Sequence, residues 1–269
     1  MKIISSKNKL AKLIKDEKNL GFVPTMGAIH KGHISLVRRS ILECNKTVIS
    51  IFINKPQFNK KSDYKRYPKT LRKDFKILKK LKVDYVYLPT NKQIYPSGPS
   101  KKIKICTFAK RLCGKNRPGH FRAVVDVIDR FIKIIKPKKI YLGEKDFQQL
   151  RVIEDFIRKN KIKTKTVGCK TVREKNGIPF SSRNFLLSNK EKLKASKVYK
   201  LIKREKNVII RKKLTLKKLR DKIINIGINK IDYIQVLNIN KIIKPYKKNN
   251  KYKIFLAYYL GQTRLIDNI

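Results

Sequence analysis

The most informative segment of the chain reads Val23-Pro24-Thr25-Met26-Gly27-Ala28-Ile29-His30-Lys31-Gly32-His33. A short apolar run from Leu20 to Val23 precedes it, and an amphipathic stretch from His33 to Leu42 follows it. The pattern predicts a strand that passes directly into a helix. In an open parallel sheet, ligands bind beyond the carboxyl ends of strands, where the next helix presents free N–H groups and its positive dipole end to phosphate. The segment is therefore our first candidate site.

Two glycines and two histidines give this junction its chemical character. Gly27 and Gly32 allow backbone to approach a nucleotide closely, because they carry no Cβ atom. His30 and His33 are three residues apart at the predicted helix entrance, so we expect them to face one ligand. The alternative is that one histidine caps the helix and the other packs in the core. The glycines at the junction favour the ligand site.

Working outward, roughly the first two-thirds of the chain alternates short β-branched runs with longer amphipathic ones, as βαβ units do. The predicted strands are Leu20 to Val23, Val48 to Ile53, Tyr85 to Leu88, Lys139 to Leu142 and Lys163 to Val167. The predicted helices are His33 to Leu42, Arg122 to Ile135 and Asp146 to Ile157. The predicted fold class is α/β, with a Rossmann-like parallel sheet.

The sequence changes character near Val172, where a turn at Gly177 to Pro179 leads into a polar loop and then into Lys-rich helical stretches. We therefore predict a nucleotide-binding Rossmann-like domain over residues 1–174 and a smaller α+β carboxy-terminal domain over residues 175–269. The elements predicted for this second domain are helices at Lys190 to Lys203 and Leu216 to Ile226, strands at Tyr233 to Leu237 and Tyr252 to Leu260, and a solvated loop at Lys244 to Lys253.

The charge balance is extreme: 70 Lys and Arg residues against 18 Asp and Glu give a formal net charge of +52. Such a balance first suggests a polyanionic partner. The basic residues are nevertheless spread along the whole chain, and no nucleic-acid-binding module is recognisable among them. Diffuse charge attracts phosphate non-specifically. We expect no specific nucleic-acid partner, and a basic nucleic-acid-binding protein stays the alternative class.

The chain shows no targeting or membrane signal. Its first residues contain no apolar stretch long enough for a signal peptide. The late apolar run from Ile254 to Leu260 has seven residues, where a spanning helix needs roughly 20. The four cysteines, Cys44, Cys106, Cys113 and Cys169, lack the close pairing of zinc sites and are expected to be reduced. We expect a cytoplasmic protein without a membrane partner.

The tetrapeptide His30-Lys31-Gly32-His33 resembles the His-x-Gly-His signature of nucleotidyltransferases and class I aminoacyl-tRNA synthetases, which act on the α-phosphate of ATP. The longer string from Val23 to Val37 is similar to the pantothenate synthetase (pantoate–β-alanine ligase) family. Further blocks follow in that family's order: Ser50 to Phe58, Tyr67 to Leu71, Arg117 to Phe121, Gly143 to Leu150, Thr171 to Glu174, Ser181 to Asn184 and Gly261 to Asn268. The resemblance covers nearly the whole chain.

This resemblance implies the ATP-dependent condensation of (R)-pantoate with β-alanine to pantothenate. The implied route passes through a pantoyl adenylate and releases AMP and pyrophosphate. It also implies ATP and Mg²⁺ as cofactors, a homodimer, and a small domain that closes over the ATP site. Another adenylyl-transferring enzyme of the same superfamily is the nearer alternative, but it lacks the blocks that contain Gln57, Gln149 and Arg117 to Phe121.

The resemblance also implies roles for individual residues. The implied catalytic residues are His30, His33, Lys145 and Arg183. The implied ATP-binding residues are Met26, Gly27, Ala28, Ile29, His30, Lys31, Gly32, His33, Gly143, Glu144, Lys145, Asp146, Val172, Phe180, Ser181, Ser182 and Arg183. The implied pantoate-binding residues are Asn54, Gln57, Tyr67, Arg117, His120 and Gln149, with Gln57 also on β-alanine and Asp74 on the metal.

The residue types suit these roles. Lys145 offers a compact charge and Arg183 a planar fork, and both neutralise phosphate oxygens. The amides of Gln57 and Gln149 donate to a carboxylate and accept from a hydroxyl, as an α-hydroxy acid requires. An acid at a helix start such as Asp74 is otherwise usually an exposed charge that stabilises the helix dipole.

A few positions depart from the family's usual pattern. Lys55 stands where Pro normally follows Asn, and Ala123 and Asp126 replace a common Gly and Thr. Phe180 replaces the usual Met before Ser-Ser-Arg, and we expect it to alter the adenine side of the pocket. None of these changes removes a charged catalytic group.

Overall fold

The computed structural model of the chain describes residues 1–211, 214–242 and 252–269, which form a six-stranded parallel sheet and a three-stranded antiparallel sheet. The parallel sheet has the order β1-β4-β3-β2-β5-β6. Its strands are β1 (Lys2–Ile4), β2 (Leu20–Thr25), β3 (Lys46–Ile51), β4 (Tyr85–Tyr87), β5 (Lys139–Gly143) and β6 (Lys165–Cys169). The helices between them are α1 (Lys7–Ile14), α2 (Lys31–Glu43), α3 (Lys61–Lys65), α4 (Leu71–Lys80), α5 (Asn91–Ile94), α6 (Cys113–Asn116), α7 (His120–Ile135) and α8 (Phe147–Lys159).

Strand β2 lies near the centre of the parallel sheet, between β3 and β5. Leu20, Phe22 and Val23 are all buried, as expected of a parallel strand that is covered by helices on both faces. The chain moves from β2 through β3 to β4 on one side, and then crosses to β5 on the other side of β2. The strand order therefore reverses beside β2, and this reversal is where open α/β sheets bind their ligands.

Helix α7 follows the predicted period. Val124, Ile128, Phe131 and Ile135 are buried on its inner face. The helix ends where Lys136 adopts a left-handed conformation with φ of 50° and donates its N–H to the carbonyl of Ile132. It begins two residues earlier than predicted, at His120, whereas α8 begins one residue later than predicted, at Phe147.

The smaller sheet has the order β7-β8-β9, and α9 (Asn189–Ile210) and α10 (Leu216–Asn225) pack against it. Its strands are β7 (Lys230–Asn238), β8 (Tyr252–Leu260) and β9 (Thr263–Asn268). Helix α9 starts with a capping box in which Ser188 and Glu191 satisfy each other's backbone N–H groups. Two sheets of this kind confirm the predicted fold class.

The predicted element bounds differ from the structure in several places. Helix α9 extends to Ile210 rather than Lys203, and β6 starts and ends two residues later than predicted. In the loop predicted for Lys244 to Lys253, residues 244–251 lie outside the described residues, and Tyr252 and Lys253 belong to β8. Across the described part of the chain, no helix is both long enough and apolar enough to cross a membrane.

Candidate active site

A cavity of about 300 Å³ opens at the carboxyl ends of β2 and β5 and extends beneath the smaller sheet. Most of the residues implied by the resemblance line it: Met26, His30, Gly32, His33, Asn54, Gln57, Tyr67, Arg117, His120, Gly143, Lys145, Asp146, Gln149, Val172, Phe180, Ser181, Ser182 and Arg183. The implied residues that do not line it are Gly27, Ala28, Ile29, Lys31, Asp74 and Glu144. One cavity thus collects segments that are far apart in the sequence.

The carboxylate of Asp74 holds the loop from Met26 to His30 through hydrogen bonds to its backbone. Gly27 and Ala28 both have positive φ angles, 78° and 51°. The backbone N–H groups of Ala28 and Ile29 donate to the two carboxylate oxygens of Asp74 at 3.0 and 2.9 Å, and the Thr70 hydroxyl donates to Oδ1 at 3.0 Å. Asp74 therefore stabilises a left-handed loop conformation that would otherwise be unfavourable for Ala28.

This geometry corrects the expectation for Asp74. Its side chain is 1% exposed, so it is not the surface charge that the sequence indicated. Three donors occupy its carboxylate, and its role as a metal ligand stays a prediction. Among the residues that the structure describes, no group of three or more His, Cys, Asp and Glu side chains is arranged to hold a metal ion.

The two histidines stack on each other at the start of α2, with ring centroids 3.9 Å apart. His30 is the N-cap of α2, and its Nδ1 accepts a hydrogen bond from the N–H of Gly32 at 3.1 Å. A Cβ atom on Gly32 would lie 2.9 Å from the His30 ring, so this close approach requires glycine. The capping role and the pocket-lining role, which the sequence presented as alternatives, therefore coexist in His30.

Both imidazoles are neutral at physiological pH. Burial, and then the nearby charge of Lys145, lower the pKa of His30 to about 4. Burial is also the main cause that lowers the pKa of His33 well below its usual value, and His30 and Lys145 add to it. His33 Nδ1 is buried without a hydrogen-bond partner among the described residues. A neutral stacked pair of this kind offers N–H donors to a ligand without repulsion between two cations.

Two cations, Lys145 and Arg183, line the same cavity. Lys145 lies in a 3₁₀ turn after β5, and its Nζ is 3.1 Å from Asp146 Oδ1. Arg183 lies in the 3₁₀ turn Ser182–Leu186, and its Nη2 is 2.8 Å from Asp63 Oδ2. Each cation thus has a carboxylate partner that a triphosphate can replace.

The loop that carries Arg183 also contacts the histidine loop directly. The Ser182 hydroxyl donates to the carbonyl of Ala28 at 3.2 Å. The ring of Phe180 lies nearly parallel to that of His30, with centroids 6.3 Å apart. The two segments that resemble ATP signatures are therefore in contact across the cavity.

The side chain of Gln57 is oriented by the buried side-chain amide of Asn54. Asn54 is 1% exposed, and its Nδ2 donates to Gln57 Oε1 at 3.0 Å and to the carbonyl of Ala123 at 3.2 Å. Its Oδ1 accepts from the Tyr95 hydroxyl at 2.7 Å. These contacts use the amide of Asn54 within the protein, so Asn54 supports Gln57 here. The other side of the Gln57 amide, Nε2, lies 3.1 Å from Met26 Sδ.

Arg117 and His120 hold the backbone of the same loop. Arg117 Nη2 and His120 Nδ1 lie 3.1 and 2.8 Å from the carbonyl oxygen of Gln57. Arg117 Nη1 also lies 3.0 Å from His120 Nε2, which assigns that nitrogen as the acceptor and Nδ1 as the donor. Burial and the adjacent Arg117 lower the pKa of His120 well below its usual value.

Three guanidinium groups, those of Arg117, Arg183 and Arg264, lie close enough to influence one another in this cavity. Burial, and then Arg183 and Arg264, lower the pKa of Arg117 to about 10. Arg264 comes from β9, pairs with Asp232 at 2.7 Å and approaches Cys113 Sγ at 3.7 Å. No role in the site was predicted for Arg264 or Cys113. For Arg264 the reason is that a single cation among 70 carries no local signal. The cluster makes the cavity attractive to anions.

Comparison with known proteins agrees with this geometry. A sequence model of the family described as Pantoate-beta-alanine ligase matches residues 2–269. The pantothenate synthetase of Pseudothermotoga lettingae is 38% identical over 272 residues, which cover 100% of this chain and 97% of the relative.

Solved structures are similar over the whole chain as well. The crystal structure of pantoate-beta-alanine ligase from Francisella tularensis, complexed with beta-gamma ATP and beta-alanine, has a TM-score of 0.87 and 38% identity and covers 100% of this chain and 97% of its own. A pantothenate synthetase structure from Thermus thermophilus has a TM-score of 0.90 and 31% identity, with coverage of 100% and 99%.

Proposed function

The chain belongs to the pantoate–β-alanine ligase family, and from this membership we propose which residues of its cavity carry each step of the reaction. The reaction is the ATP-dependent condensation of (R)-pantoate with β-alanine to pantothenate. The proposed route has two steps: pantoate and ATP form pantoyl adenylate and pyrophosphate, and the amine of β-alanine then displaces AMP.

One observation supports the assignment of residues: a single cavity is lined both by neutral histidines with two cations and by amide side chains, and we infer from this lining a phosphate side and an amide side. Neutral His30 and His33, with Lys145 and Arg183, form the first side at the strand-order reversal. Gln57 heads the second side. The first side suits a triphosphate and the second suits an α-hydroxy acid.

In the first step, the carboxylate of pantoate attacks the α-phosphorus of ATP in line. This carboxylate is ionised at neutral pH, so the step needs no general base. Rate enhancement then comes from alignment and from stabilisation of charge on the phosphates. We assign His30 and His33 to the α-phosphate as hydrogen-bond donors, since their low pKa values keep them neutral.

Lys145 and Arg183 are assigned to the phosphates that depart as pyrophosphate. Both already pair with a carboxylate, at 3.1 and 2.8 Å, so the triphosphate exchanges one anionic partner for another. The remaining ATP contacts are proposed for Met26 and Gly32, which line the cavity, and for Phe180, which stands beside His30. Mg²⁺ is proposed to enter with ATP, because this cation commonly relies on substrate phosphates with few protein ligands.

On the amide side, Gln57 and Gln149 are proposed to bind pantoate, and Gln57 also to contact β-alanine. Asn54, Arg117 and His120 act by holding the Gln57 side chain and carbonyl in place. In the second step, the deprotonated amine of β-alanine attacks the acyl carbon, and AMP leaves. An amine cannot displace a free carboxylate oxygen usefully, which is why activation comes first.

The family resemblance also supports a homodimer in the cytoplasm. We further propose that residues 1–174 and 175–269 are the two structural domains and that the second closes over ATP. Support for this division comes from the separate apolar core between α9, α10 and the smaller sheet.

Exchange of labelled pyrophosphate into ATP tests the proposed route. Exchange is expected with pantoate and Mg²⁺ alone, without β-alanine, because the adenylate forms first. Substituting phosphopantetheine or nicotinate mononucleotide for pantoate controls for other adenylyl transfer and should give no exchange. Exchange that appears only when β-alanine is present would refute the ordered adenylate route.

A further inference from the structure

Asn268, on strand β9, reaches the turn that carries Lys145. Its Nδ2 donates to the backbone carbonyls of Glu144 and Lys145 at 2.9 and 2.8 Å. Its Oδ1 accepts from Lys253 Nζ at 2.8 Å. Asn268 is 4% exposed, so these bonds form away from solvent, where polar contacts are worth most. A side chain from the smaller sheet thus fixes the backbone of a loop on the larger one.

Strand β9 is itself anchored on both sides. Asn268 pairs with Phe255 of β8 in the antiparallel ladder. The neighbouring Asp267 accepts from both terminal nitrogens of Arg173 at 2.7 and 2.8 Å, and also from the N–H of Asn268 at 2.7 Å. A bidentate pair of this kind has a defined orientation as well as strength. The amide of Asn268 is therefore delivered from a rigid position.

Rigidity at this point matters because of what Lys145 has to do. A lysine side chain is a flexible four-carbon stem, so the position of its ammonium group depends on how firmly the backbone of the same residue is held. Charge stabilisation in a transition state requires groups that are already in position. A displacement of about 1 Å lowers a rate by about 10²-fold. The carbonyl of Lys145 is one of the two atoms that Asn268 holds.

We propose that Asn268, which also lines the cavity, is a positioning residue: its amide holds the backbone carbonyls of Glu144 and Lys145 and so sets the location of Lys145 for the activation step. The proposal rests on the proposed function, in which Lys145 serves the departing pyrophosphate. Under this proposal, stabilisation of the phosphates by Lys145 on the larger sheet depends on the packing of the smaller sheet. Glu144 and Lys145 are more than 120 residues away from Asn268 in the chain.

Asn268→Asp and Asn268→Ala test the proposal. The aspartate is nearly isosteric and can still pair with Lys253, but it presents acceptors to two carbonyls. The alanine removes the amide without adding charge. Both variants should lower pantoate-dependent pyrophosphate exchange by roughly 10- to 100-fold. Preformed pantoyl adenylate and β-alanine should still give pantothenate within about twofold of the parent rate, because the adenylate has no β- or γ-phosphate.

A double-mutant cycle separates positioning from general structural damage. If Asn268 acts through Lys145, Asn268→Ala in a Lys145→Ala background should cause almost no further loss of exchange, within about twofold. Asn238→Ala is the matched control: it removes an asparagine from the same sheet whose amide oxygen caps a local turn, at Asn240, within the described residues. This control should match the parent in both half-reactions.

The outcomes are separable. If the parent chain shows no pantoate-dependent exchange, the proposed function fails. If the parent is active, the inference is overturned by parent-like exchange in both Asn268 variants, by equal loss in both half-reactions, or by losses that multiply with Lys145→Ala. Should neither variant fold by circular dichroism, Lys253→Met, which removes the partner of the amide oxygen, is judged by the same half-reaction comparison.

Discussion

Replacing Asp74 tests whether this carboxylate holds the histidine loop or a metal ion. In the structure it accepts from the N–H groups of Ala28 and Ile29 and from the Thr70 hydroxyl, and it is 1% exposed. Asp74→Ala leaves both N–H groups buried without partners. Asp74→Asn keeps the shape and one acceptor, but it turns an NH₂ group toward one of the two donors.

The size of the effect follows from these contacts. A hydrogen bond to a charged group contributes about 1.5–3 kcal/mol, so losing two backbone bonds should cost about 3–6 kcal/mol in Asp74→Ala. Asp74→Asn should cost about half of that, since one bond survives. Total stabilities are typically about 5–15 kcal/mol, so the alanine variant is expected to lose a large fraction of its stability. The loop itself should relax as well, because Ala28 has a positive φ angle.

Urea unfolding in the absence of ATP and Mg²⁺ measures this cost. The midpoint should fall in both variants with little change in slope, and it should fall further in Asp74→Ala. Asp16→Asn, which changes an almost fully exposed carboxylate, is the control and should leave the midpoint unchanged. An unchanged midpoint in Asp74→Ala, together with a raised Mg²⁺ requirement for pyrophosphate exchange, would refute the loop-anchoring role and restore the metal-ligand role.

Three further predictions concern charge. Lys145→Ala should lower pantoate activation by about 10²–10³-fold and leave the reaction of preformed adenylate with β-alanine near the parent rate; equal loss in both steps would contradict its assignment to pyrophosphate. The pKa of His30 is about 4 in the folded chain against 6.5 as an unperturbed group, so between these pH values the unfolded chain binds more protons. Stability should therefore fall as pH is lowered through this window, and His30→Gln should flatten the dependence of the urea midpoint on pH; an unchanged dependence would disprove this origin. Finally, the +52 charge predicts DNA binding that weakens steeply with salt and shows no sequence preference in fluorescence anisotropy, whereas a base-specific complex at physiological salt would revive the nucleic-acid alternative.

The elements that were predicted well have a strong local signal. Helix α7 repeats buried side chains at helical spacing over four turns, and its bounds were predicted to within two residues. Strand β1 (Lys2–Ile4) and helix α1 (Lys7–Ile14) were not predicted. A three-residue edge strand with one buried side chain is too short to show a period. The segment that forms β9 was identified as a motif and was not predicted as a strand, because its strand character depends on pairing with β8.

In the candidate site, too, some features were predicted from local motifs and others are visible only in the structure. The motif residues that line the cavity were predicted from the sequence, partly by the local pattern of glycine and histidine at a strand-to-helix junction and otherwise by the family resemblance. The supporting roles were not. Asn54 and His120 were expected to complete the pantoate pocket, and the structure shows them bonded to the side chain and carbonyl of Gln57. Whether a residue binds substrate or supports a neighbouring residue depends on which of its polar atoms already have hydrogen-bond partners within the protein.

The sequence by itself determined the fold class and the family, and it predicted the junction proposed to bind phosphate, because periodicity and short motifs are properties of neighbouring residues. Tertiary structure alone decided that Asp74 is buried under a loop 46 residues before it, that both histidines are neutral, and that Asn268 holds the carbonyl of Lys145. Burial, hydrogen-bond partners and pKa values depend on groups that are close in space and distant in the chain. No local pattern records those distances.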